Sequence, residues 1–282
     1  MDVKIESVEA DVLIITSMCQ SLLRYCCGRR DTMYGKYSEL YDRWCECYDV
    51  NQNEITIINS HVSLNDKVVL DIGCGTGRLS FKLANVAKHV YGIDIDTESK
   101  RIFERKMKEN VISNMEVIAA DVTSVDFPDE SLDVVIFSWS FYSLPKPAIP
   151  IIILKTLKWL KSQGKILILQ PDSGQFEEVM RSVFVENQGH EEYLDCFKTV
   201  SSIKDNRIGF VEEFEIRLDF EFSDLNFGVE AIRMFAITEG ANKDNPNLIP
   251  AEPIIQQFSK YFNGEKYVLD DFVRGFVFEK IN

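Results

Sequence analysis

The stretch VVLDIGCGTG holds the residues of this chain that are best suited to binding a ligand through the backbone. Asp71 lies in an apolar run typical of a buried strand, and Gly73, Gly75 and Gly77 follow it at alternate positions. A helical pattern comes after the last glycine. A tight turn between a strand and a helix presents backbone N–H groups and the positive end of the helix to the polar groups of a ligand. We therefore predict a ligand-binding turn at this point of the chain.

The spacing of the glycines disfavours a dinucleotide at this turn. The dinucleotide fingerprint G-x-G-x-x-G requires its third glycine at position 78, where the helix packs closely on the strand. This chain has Arg78 there, and Gly77 comes one residue early. The mismatch argues against NAD without excluding it.

Strands and helices alternate around this turn. The strand patterns are KVVLDIG, HVYGIDI, MEVIAAD, LDVVIFSW and GKILILQPD, and the helical ones are RLSFKLANVAK, ESKRIFERKMKEN and AIPIIILKTLKWLKSQ. Continuous apolar strands are typical of a parallel sheet that helices cover on both faces. Further on, GFVEEFEIRLDFEF alternates with period two and DDFVRGFVFEKI predicts a last strand. We predict an α/β fold with a Rossmann-like, doubly wound, seven-stranded and mostly parallel sheet.

Helical segments outside this alternation predict two additions to the sheet domain. Apolar residues recur at helical spacing over residues 8–26, which indicates an N-terminal helical extension or cover within residues 1–50. The main domain then occupies residues 51–282. Insertions at about 173–200 and 225–262 are expected to form a helical substrate cap, because they follow strands whose ends face the site.

The order of the motifs resembles that of a known enzyme family. VVLDIGCGTG, followed by VYGIDID, VIAADV and LDVVIFSWSFYSLPKP, resembles the successive motifs of class I S-adenosylmethionine-dependent methyltransferases. The resemblance covers residues 30–172 and includes YGKYSELYDRW, which looks like the aromatic lead-in segment of many small-molecule members. It implies S-adenosylmethionine as the cofactor and methyl donor.

The resemblance assigns the methionine end of the cofactor to the glycine turn. It implies that Gly73, Gly75 and Gly77 admit the methionine part. Asp71 would meet the ammonium group, directly or through water, and Ser138 would lie beneath the sulfonium. A purely structural turn is the alternative for Asp71 and the glycines.

The resemblance assigns the nucleoside end to the two following strands. Asp94 would accept both ribose hydroxyls, since one carboxylate can accept from two donors, and Ile95 would flank the adenine. Asp121 would accept from the adenine amino group, with the Val122 N–H facing the ring. The alternative for both aspartates is a local role in capping a helix or closing a turn.

The acceptor side is predicted from topology, because open parallel sheets bind ligands beyond the carboxyl ends of their strands. This rule selects Trp139, Tyr142 and Asp172 as candidates for substrate binding. Tyr142 is also the candidate for orienting or deprotonating the substrate, and packing is its alternative. Tyr34, Tyr37 and Tyr41 are candidates for covering the cofactor from the N-terminal side, and packing in the core is the alternative for two of the three.

The charge, the N-terminal residues and the cysteine spacing disfavour several kinds of partner, location and site. The net charge of −14 disfavours nucleic acid and anionic membranes, which both attract basic surfaces. The N-terminal residues have too short an apolar run for a signal peptide or membrane span, so a cytoplasmic location is expected. The 7 cysteines lack paired C-x2-C spacing, so we predict thiols and no metal site.

We therefore predict methyl transfer from S-adenosylmethionine to a nitrogen or oxygen of a small-molecule acceptor. One alternative is a scaffold protein that keeps the fold, and even the cofactor, but does no chemistry. A second alternative is an enzyme that uses a modified adenosylmethionine. The sequence leaves the oligomeric state and the identity of the acceptor open.

Overall fold

The computed structural model describes residues 35–182, 195–238 and 249–281. The helix predicted over residues 8–26 and the predicted cofactor contact Tyr34 lie outside the described residues. The role of residues 1–50 as a cover therefore stays a prediction, although one helix of this range is described below.

The predicted seven-stranded sheet is confirmed, with the strand order β3-β2-β1-β4-β5-β7-β6. Strands β1 to β5 are parallel, and β7 runs antiparallel between β5 and β6. The strands are β1 Val68–Ile72, β2 His89–Asp94, β3 Met115–Ala119, β4 Leu132–Ser138, β5 Leu160–Gly174, β6 Ile208–Phe222 and β7 Tyr267–Lys280.

Helices flank the sheet and connect its parallel strands. They are α1 Ser38–Glu46, α2 Asn53–His61, α3 Ser80–Ala84, α4 Thr97–Glu109, α5 Ile149–Trp159, α6 Gln175–Arg181, α7 Cys196–Ser201, α8 Leu225–Thr238 and α9 Ala251–Phe258. The cap of α4 shows how the sequence sets a boundary: Asp96 accepts from the Glu98 and Ser99 amides at its N-terminus.

The order of strands reverses at β1, which lies between β2 and β4. A crevice for ligands opens at such a switch point, beyond the carboxyl ends of the strands. The glycine turn follows β1, and Trp139 follows β4. The topology therefore brings these two connections to the same place.

Two apolar clusters cover the two faces of the sheet. One contains Trp44, Val69 and Leu167, and the other contains Leu70, Trp159 and Ile168. Successive residues of β1 and β5 thus point to opposite faces, and both faces are buried, as their continuous apolar runs predict.

One predicted boundary was wrong. The sequence predicts a helix that continues through Gln163, but α5 ends at Trp159 and β5 begins at Leu160. Leu160 pairs with Leu132 of β4, and Gln163 has a φ of 62° in the irregular part of the strand. Pairing with the sheet prevails over the helical pattern of these few residues.

The predicted first insertion, residues 173–200, is divided between the two faces of the sheet. Phe176 of α6 packs in the cluster of Trp44, whereas Cys196 of α7 packs in the cluster of Trp159. In the second insertion, α8 contacts α1, α6 and α9. A role as substrate cap stays a prediction for these helices.

No helix in the described ranges combines the length and the apolar character that crossing a membrane requires.

Candidate functional site

The glycine turn after β1 has the backbone conformation that its sequence predicts. Gly73, Gly75 and Gly77 all have positive φ angles, of 76°, 53° and 96°. The Gly73 amide donates to the Ile93 carbonyl of β2 at 2.7 Å. L-residues adopt such angles only at a cost, so glycine is the residue that fits all three positions.

At two of these three glycines, neighbouring side chains of the protein leave no space for a Cβ atom. A Cβ at Gly73 would overlap the Ser140 side chain, and one at Gly77 would overlap the Phe81 ring. Only at Gly75 would a Cβ have an ordinary contact, with the Tyr41 ring at 3.5 Å. Internal packing therefore explains two of the glycines, and their part in binding a cofactor stays a prediction.

Asp71 carries a buried carboxylate with one oxygen that lacks a partner. Its Oδ2 accepts from Ser80 Oγ at 2.6 Å, whereas its Oδ1 is buried with no hydrogen-bond partner among the described residues. Burial raises the pKa of Asp71 to about 6. A buried carboxylate of this kind is stabilised by any cation that reaches it.

Asp94 ends β2 and binds the glycine turn. It accepts from the Gly75 amide and from the Asp96 amide, both at 2.8 Å. Burial raises the pKa of Asp94, and these two amides oppose the shift. Ile95, beside it, is 59% exposed. Asp94 thus lies next to the turn and Ile95 at the surface, and their contacts with the ribose and the adenine stay predictions.

Asp121 closes a local turn, which is the alternative role that its sequence position also allowed. Its Oδ1 accepts from the Thr123 amide at 2.8 Å and from the Thr123 hydroxyl at 2.7 Å, which closes the turn after β3. Val122 is buried between them. A contact of Asp121 with the adenine stays a prediction.

Arg78 is a central residue that the sequence reasoning treated only as a missing glycine. Its guanidinium is buried and donates to Glu54 Oε2 at 2.5 Å, to Glu54 Oε1 at 3.0 Å and to Ser138 Oγ at 2.6 Å. It also lies 4.2 Å from the centre of the Trp139 ring. Burial opposes its charge, but Glu54 outweighs this effect and raises the pKa of Arg78. Arg78 therefore fixes both Ser138 and Trp139 at the end of β4.

An aromatic cluster lies beside the turn. Helix α1 contributes Trp44, which is 2% exposed and lies 5.5 Å from the Trp139 ring, and Tyr41, which stacks on Trp44. Phe176 of α6 and Phe235 of α8 pack on Trp44 as well. The buried Nε1 atoms of Trp44 and Trp139 have no hydrogen-bond partner in the described parts of the chain. These rings form an apolar wall that carries two unused donors.

The other two acceptor-side candidates differ in position. Tyr142 is half-buried in the short 3-10 helix Phe141–Ser143 after β4. Asp172 is exposed, in the stretch of β5 where the pairing with β7 shifts between Pro171 and Gly174. Trp139 lies against the aromatic cluster, and substrate roles for all three candidates stay predictions.

A second, partly buried pair of polar side chains was missed because its partners are far apart in sequence. The Tyr48 hydroxyl donates to Asp271 Oδ2 at 3.1 Å, and the Tyr48 ring lies 4.8 Å from the Trp139 ring. Burial raises the pKa of Asp271 to about 7. The adjacent acidic residues Asp270 and Asp271 are visible in the sequence of β7, but no sequence signal connects Asp271 with Tyr48.

Comparison with known proteins agrees with this geometry. Residues 69–164 match the family model described as a methyltransferase domain. This match begins in β1 and includes the glycine turn, Asp94 and Ser138. The chain contains a class I S-adenosylmethionine-dependent methyltransferase domain.

Relatives of this methyltransferase domain act on different kinds of acceptor, as their names state. Protein arginine N-methyltransferase 1 of Chlamydomonas reinhardtii is 35% identical over 118 residues, which are 41% of this chain and 33% of that protein. Ubiquinone biosynthesis O-methyltransferase of Paraburkholderia xenovorans is 32% identical over 130 residues, which are 43% of this chain and 56% of that protein. The chain thus spans between a third and just over half of the length of these relatives.

A solved structure supports the fold over a longer range. A putative methyltransferase from Bacillus halodurans superposes with a TM-score of 0.53 at 16% identity, over 81% of this chain and 99% of that chain. The predicted fold class is confirmed by this likeness and by the strand order.

S-adenosylmethionine is the cofactor of this class of domain, and two features of the site fit it. The unpartnered Oδ1 of Asp71 calls for a donor or cation, which the methionine ammonium would supply. The turn at Gly75 leaves ordinary contact distance on the side of Tyr41. The methyltransferase domain therefore has, at this turn, a buried carboxylate oxygen to which the methionine ammonium would bind.

Proposed function

We propose that this methyltransferase transfers a methyl group from S-adenosylmethionine to a nitrogen or oxygen atom of a small-molecule acceptor. The reaction is an in-line displacement in which the sulfur leaves as a neutral thioether. Little chemical assistance is needed at the leaving group, so holding the reacting atoms in line supplies most of the acceleration, on the order of 7–11 kcal/mol.

The residues around the turn would hold the methyl donor at both ends. At the methionine end, Asp71 would bind the ammonium through Oδ1, and Ser138, oriented by Arg78, would lie beneath the sulfonium. At the nucleoside end, Asp94 would exchange its hydrogen bond with the Gly75 amide for the ribose hydroxyls. Ile95 would flank the adenine.

The aromatic cluster beside the turn is the observation that carries the choice of acceptor. Trp44, Tyr48 and Trp139 are packed with ring centres 4.8 to 5.5 Å apart. A small apolar or aromatic acceptor next to Trp139 would bury its surface on these rings and accept a hydrogen bond from an indole N–H.

A guanidinium acceptor is the second candidate, because a protein arginine methyltransferase is among the similar proteins. The acidic net charge of this chain would also attract a cationic peptide. Direct comparison of the two acceptor classes distinguishes these functions.

The proposal is tested in two steps. First, calorimetry measures binding of S-adenosylmethionine and S-adenosylhomocysteine to the wild type and to Gly75→Arg, whose side chain would occupy the turn. Second, release of S-adenosylhomocysteine is measured with a panel of phenols, amines and one arginine-rich peptide. We expect binding that Gly75→Arg abolishes, and turnover of a phenol or amine.

Different results would overturn different parts of this proposal. A folded wild type that binds neither nucleoside would contradict the methyl-donor site. Turnover of the peptide alone would replace the small-molecule acceptor by a protein. Tyr142→Phe is expected to leave cofactor binding intact and to slow turnover, and unchanged turnover would remove Tyr142 from the site.

The organisation of the chain belongs to the same proposal. Residues 1–50 would cover the site, and the segments 173–200 and 225–262 would cap the acceptor. Helix α1 supports this arrangement, because Tyr41 contacts the turn at Gly75 and Trp44 contacts Trp139. The cytoplasmic location expected from the sequence stays a prediction.

A further inference from the structure

Tyr48 and Asp271 form a partly buried hydrogen bond near the carboxyl ends of the parallel strands. Tyr48 follows α1 and is 3% exposed. Asp271 lies in β7 opposite Gly174, the last residue of β5. Because β5 is parallel to β1 and β4, its last residues lie beyond the carboxyl edge of the sheet. The pair therefore lies beyond the same edge of the sheet as the glycine turn.

The ring of Tyr48 connects Asp271 with the aromatic cluster beside the turn. It lies 4.8 Å from the Trp139 ring at an angle of 87°, and 4.9 Å from the Trp44 ring. Trp139 directly follows Ser138, and the next residue, Ser140, packs on Gly73 of the turn. A continuous set of contacts thus runs from the turn to the Asp271 carboxylate.

The chain is built to admit this carboxylate. A Cβ at Gly174 would overlap the Asp271 side chain, so only glycine fits at the end of β5. The Phe176 amide donates to Asp271 Oδ1 at 3.2 Å, and Tyr48 donates to Oδ2. Each carboxylate oxygen of Asp271 thus accepts a hydrogen bond, and Tyr48 is the side chain that links Asp271 to the aromatic cluster.

We propose that Tyr48 and Asp271 form a proton relay for an acceptor that carries a removable proton, namely a phenolic hydroxyl or a protonated amine. This inference rests on the proposed function. As the acceptor atom attacks the methyl carbon, the sulfur–methyl bond breaks and its electron pair stays on sulfur. The acceptor proton passes to Tyr48 Oη, and the proton of Tyr48 passes to Asp271 Oδ2. One proton ends on Asp271. A methylated phenol is then neutral, whereas a protonated amine must lose its proton before its nitrogen attacks, and its methylated product keeps one positive charge.

The surroundings of the pair suit this role. Burial raises the pKa of Asp271 to about 7, the Tyr48 hydrogen bond and the Phe176 amide oppose the shift, and Glu177 and Asp270 add to it. Burial is the main cause that raises the pKa of Tyr48, and the charge of Asp271 is the next. Arg78 lowers this pKa, and Glu54 raises it. Tyr48 therefore keeps its proton unless Asp271 accepts it. The relay is therefore active above about pH 7, where Asp271 is ionised.

The first test measures the carboxyl group of Asp271 directly. Carbon-13 NMR of the labelled wild type follows the Asp271 Cγ shift between pH 4 and pH 9, with S-adenosylhomocysteine present. We expect a midpoint about 3 pH units above the usual 3.8. In Tyr48→Phe the midpoint should rise further, because a bond that stabilises the ionised form is lost. A midpoint below 5, or no change in Tyr48→Phe, would overturn the relay.

The second test uses kinetics with the phenol or amine that the panel shows to be turned over. Asp271→Asn should lower kcat about a hundredfold or more and remove its rise with pH, while the KM for S-adenosylmethionine stays within twofold. Asp270→Asn is the matched control, because it makes the same change in the neighbouring, partly exposed residue that pairs with Arg217. Retention of the pH-dependent rise in Asp271→Asn would contradict the proposal.

The two tests separate this inference from the proposed function. If the wild type binds the cofactor but methylates nothing in the panel, the proposed acceptor classes fail, and the NMR titration still decides whether Asp271 can serve in a relay. If a phenol is methylated and Asp271 titrates below 5, the function stands and the relay fails.

Discussion

Arg78 and Glu54 form a buried ion pair with two hydrogen bonds, at 2.5 and 3.0 Å, directly beside the glycine turn. Glu54 lies in α2, which precedes the sheet, and Arg78 follows the turn. Because Arg78 also donates to Ser138, the pair connects α2, the turn and the end of β4. The position that lacks the third glycine of a dinucleotide site is thus occupied by a residue that organises the site.

Removing one partner of this pair should strongly destabilise the protein. In Glu54→Gln the buried Arg78 charge loses its carboxylate partner, while the positive charge of Lys82 stays nearby. We expect the free energy of unfolding in urea to fall by about 3–5 kcal/mol. Glu98→Gln is the control, since Glu98 makes an exposed ion pair with Arg101, and its loss should not be measurable. A Glu54→Gln protein as stable as the control variant would show that the buried Arg78 charge does not depend on Glu54 for its stabilisation.

Alanine at two glycines of the same turn should have different effects. Gly75→Ala places a Cβ at an ordinary 3.5 Å from Tyr41 and costs about 1 kcal/mol for its positive φ. Gly73→Ala has the same backbone cost and overlaps Ser140 as well. Thermal unfolding followed by circular dichroism should therefore show a larger loss for Gly73→Ala. Equal losses would mean that Ser140 can move away.

Binding of S-adenosylhomocysteine should weaken as the pH falls below 6. Burial raises the pKa of Asp71 to about 6, so the carboxyl is protonated below that value and cannot pair with an ammonium. Well below pH 6 the affinity should fall by about tenfold per pH unit. Calorimetry from pH 5 to pH 7.5 measures this slope. Asp71→Asn should bind weakly with a reduced slope, and an unchanged slope would assign the titration to another group.

The same substitution should stabilise the protein without ligand at neutral pH. A pKa that rises from 3.8 to about 6 means that the ionised Asp71 costs roughly 3 kcal/mol in the folded state. The sign follows from linkage: this cost is fully present above about pH 6 and is relieved as the pH falls toward 3.8. Urea unfolding at pH 8 should therefore show a higher free energy of unfolding for Asp71→Asn, and the gain should shrink at pH 5.

Asp94 and Asp121 should contribute unequally to nucleoside binding. Asp94 binds the turn itself, whereas an Asp121 oxygen is used by Thr123. Asp94→Asn should weaken S-adenosylhomocysteine about tenfold to a hundredfold, as expected for the loss of bonds to a charged group. Asp121→Asn should weaken it only a few-fold. Calorimetry with adenosine as a second ligand checks that the loss lies at the nucleoside end, and equal effects would show that Asp121 leaves Thr123 when the ligand binds.

Local patterns allowed much of the fold to be predicted. The apolar runs around Leu70 and Ile168 indicated strands buried on both faces, and the alternation in residues 208–222 indicated a half-buried one. The helix boundary at Trp159 was missed, because pairing of Leu160 with Leu132 depends on a strand far away in sequence. Pattern and propensity act over a few residues, so they fail where a distant partner decides.

The sequence by itself determined the glycine turn after β1 and the buried aspartate before it. Asp71 and the glycines are close together in the chain, and their spacing has a meaning that needs no distant residue. Only the tertiary structure decided which distant residues meet beside this turn. It brings Arg78 to Glu54 and Tyr48 to Asp271, residues that lie on different elements and far apart in the sequence. Burial then shifts the pKa of Asp271, and no pattern of neighbouring residues can show how deeply a side chain is buried.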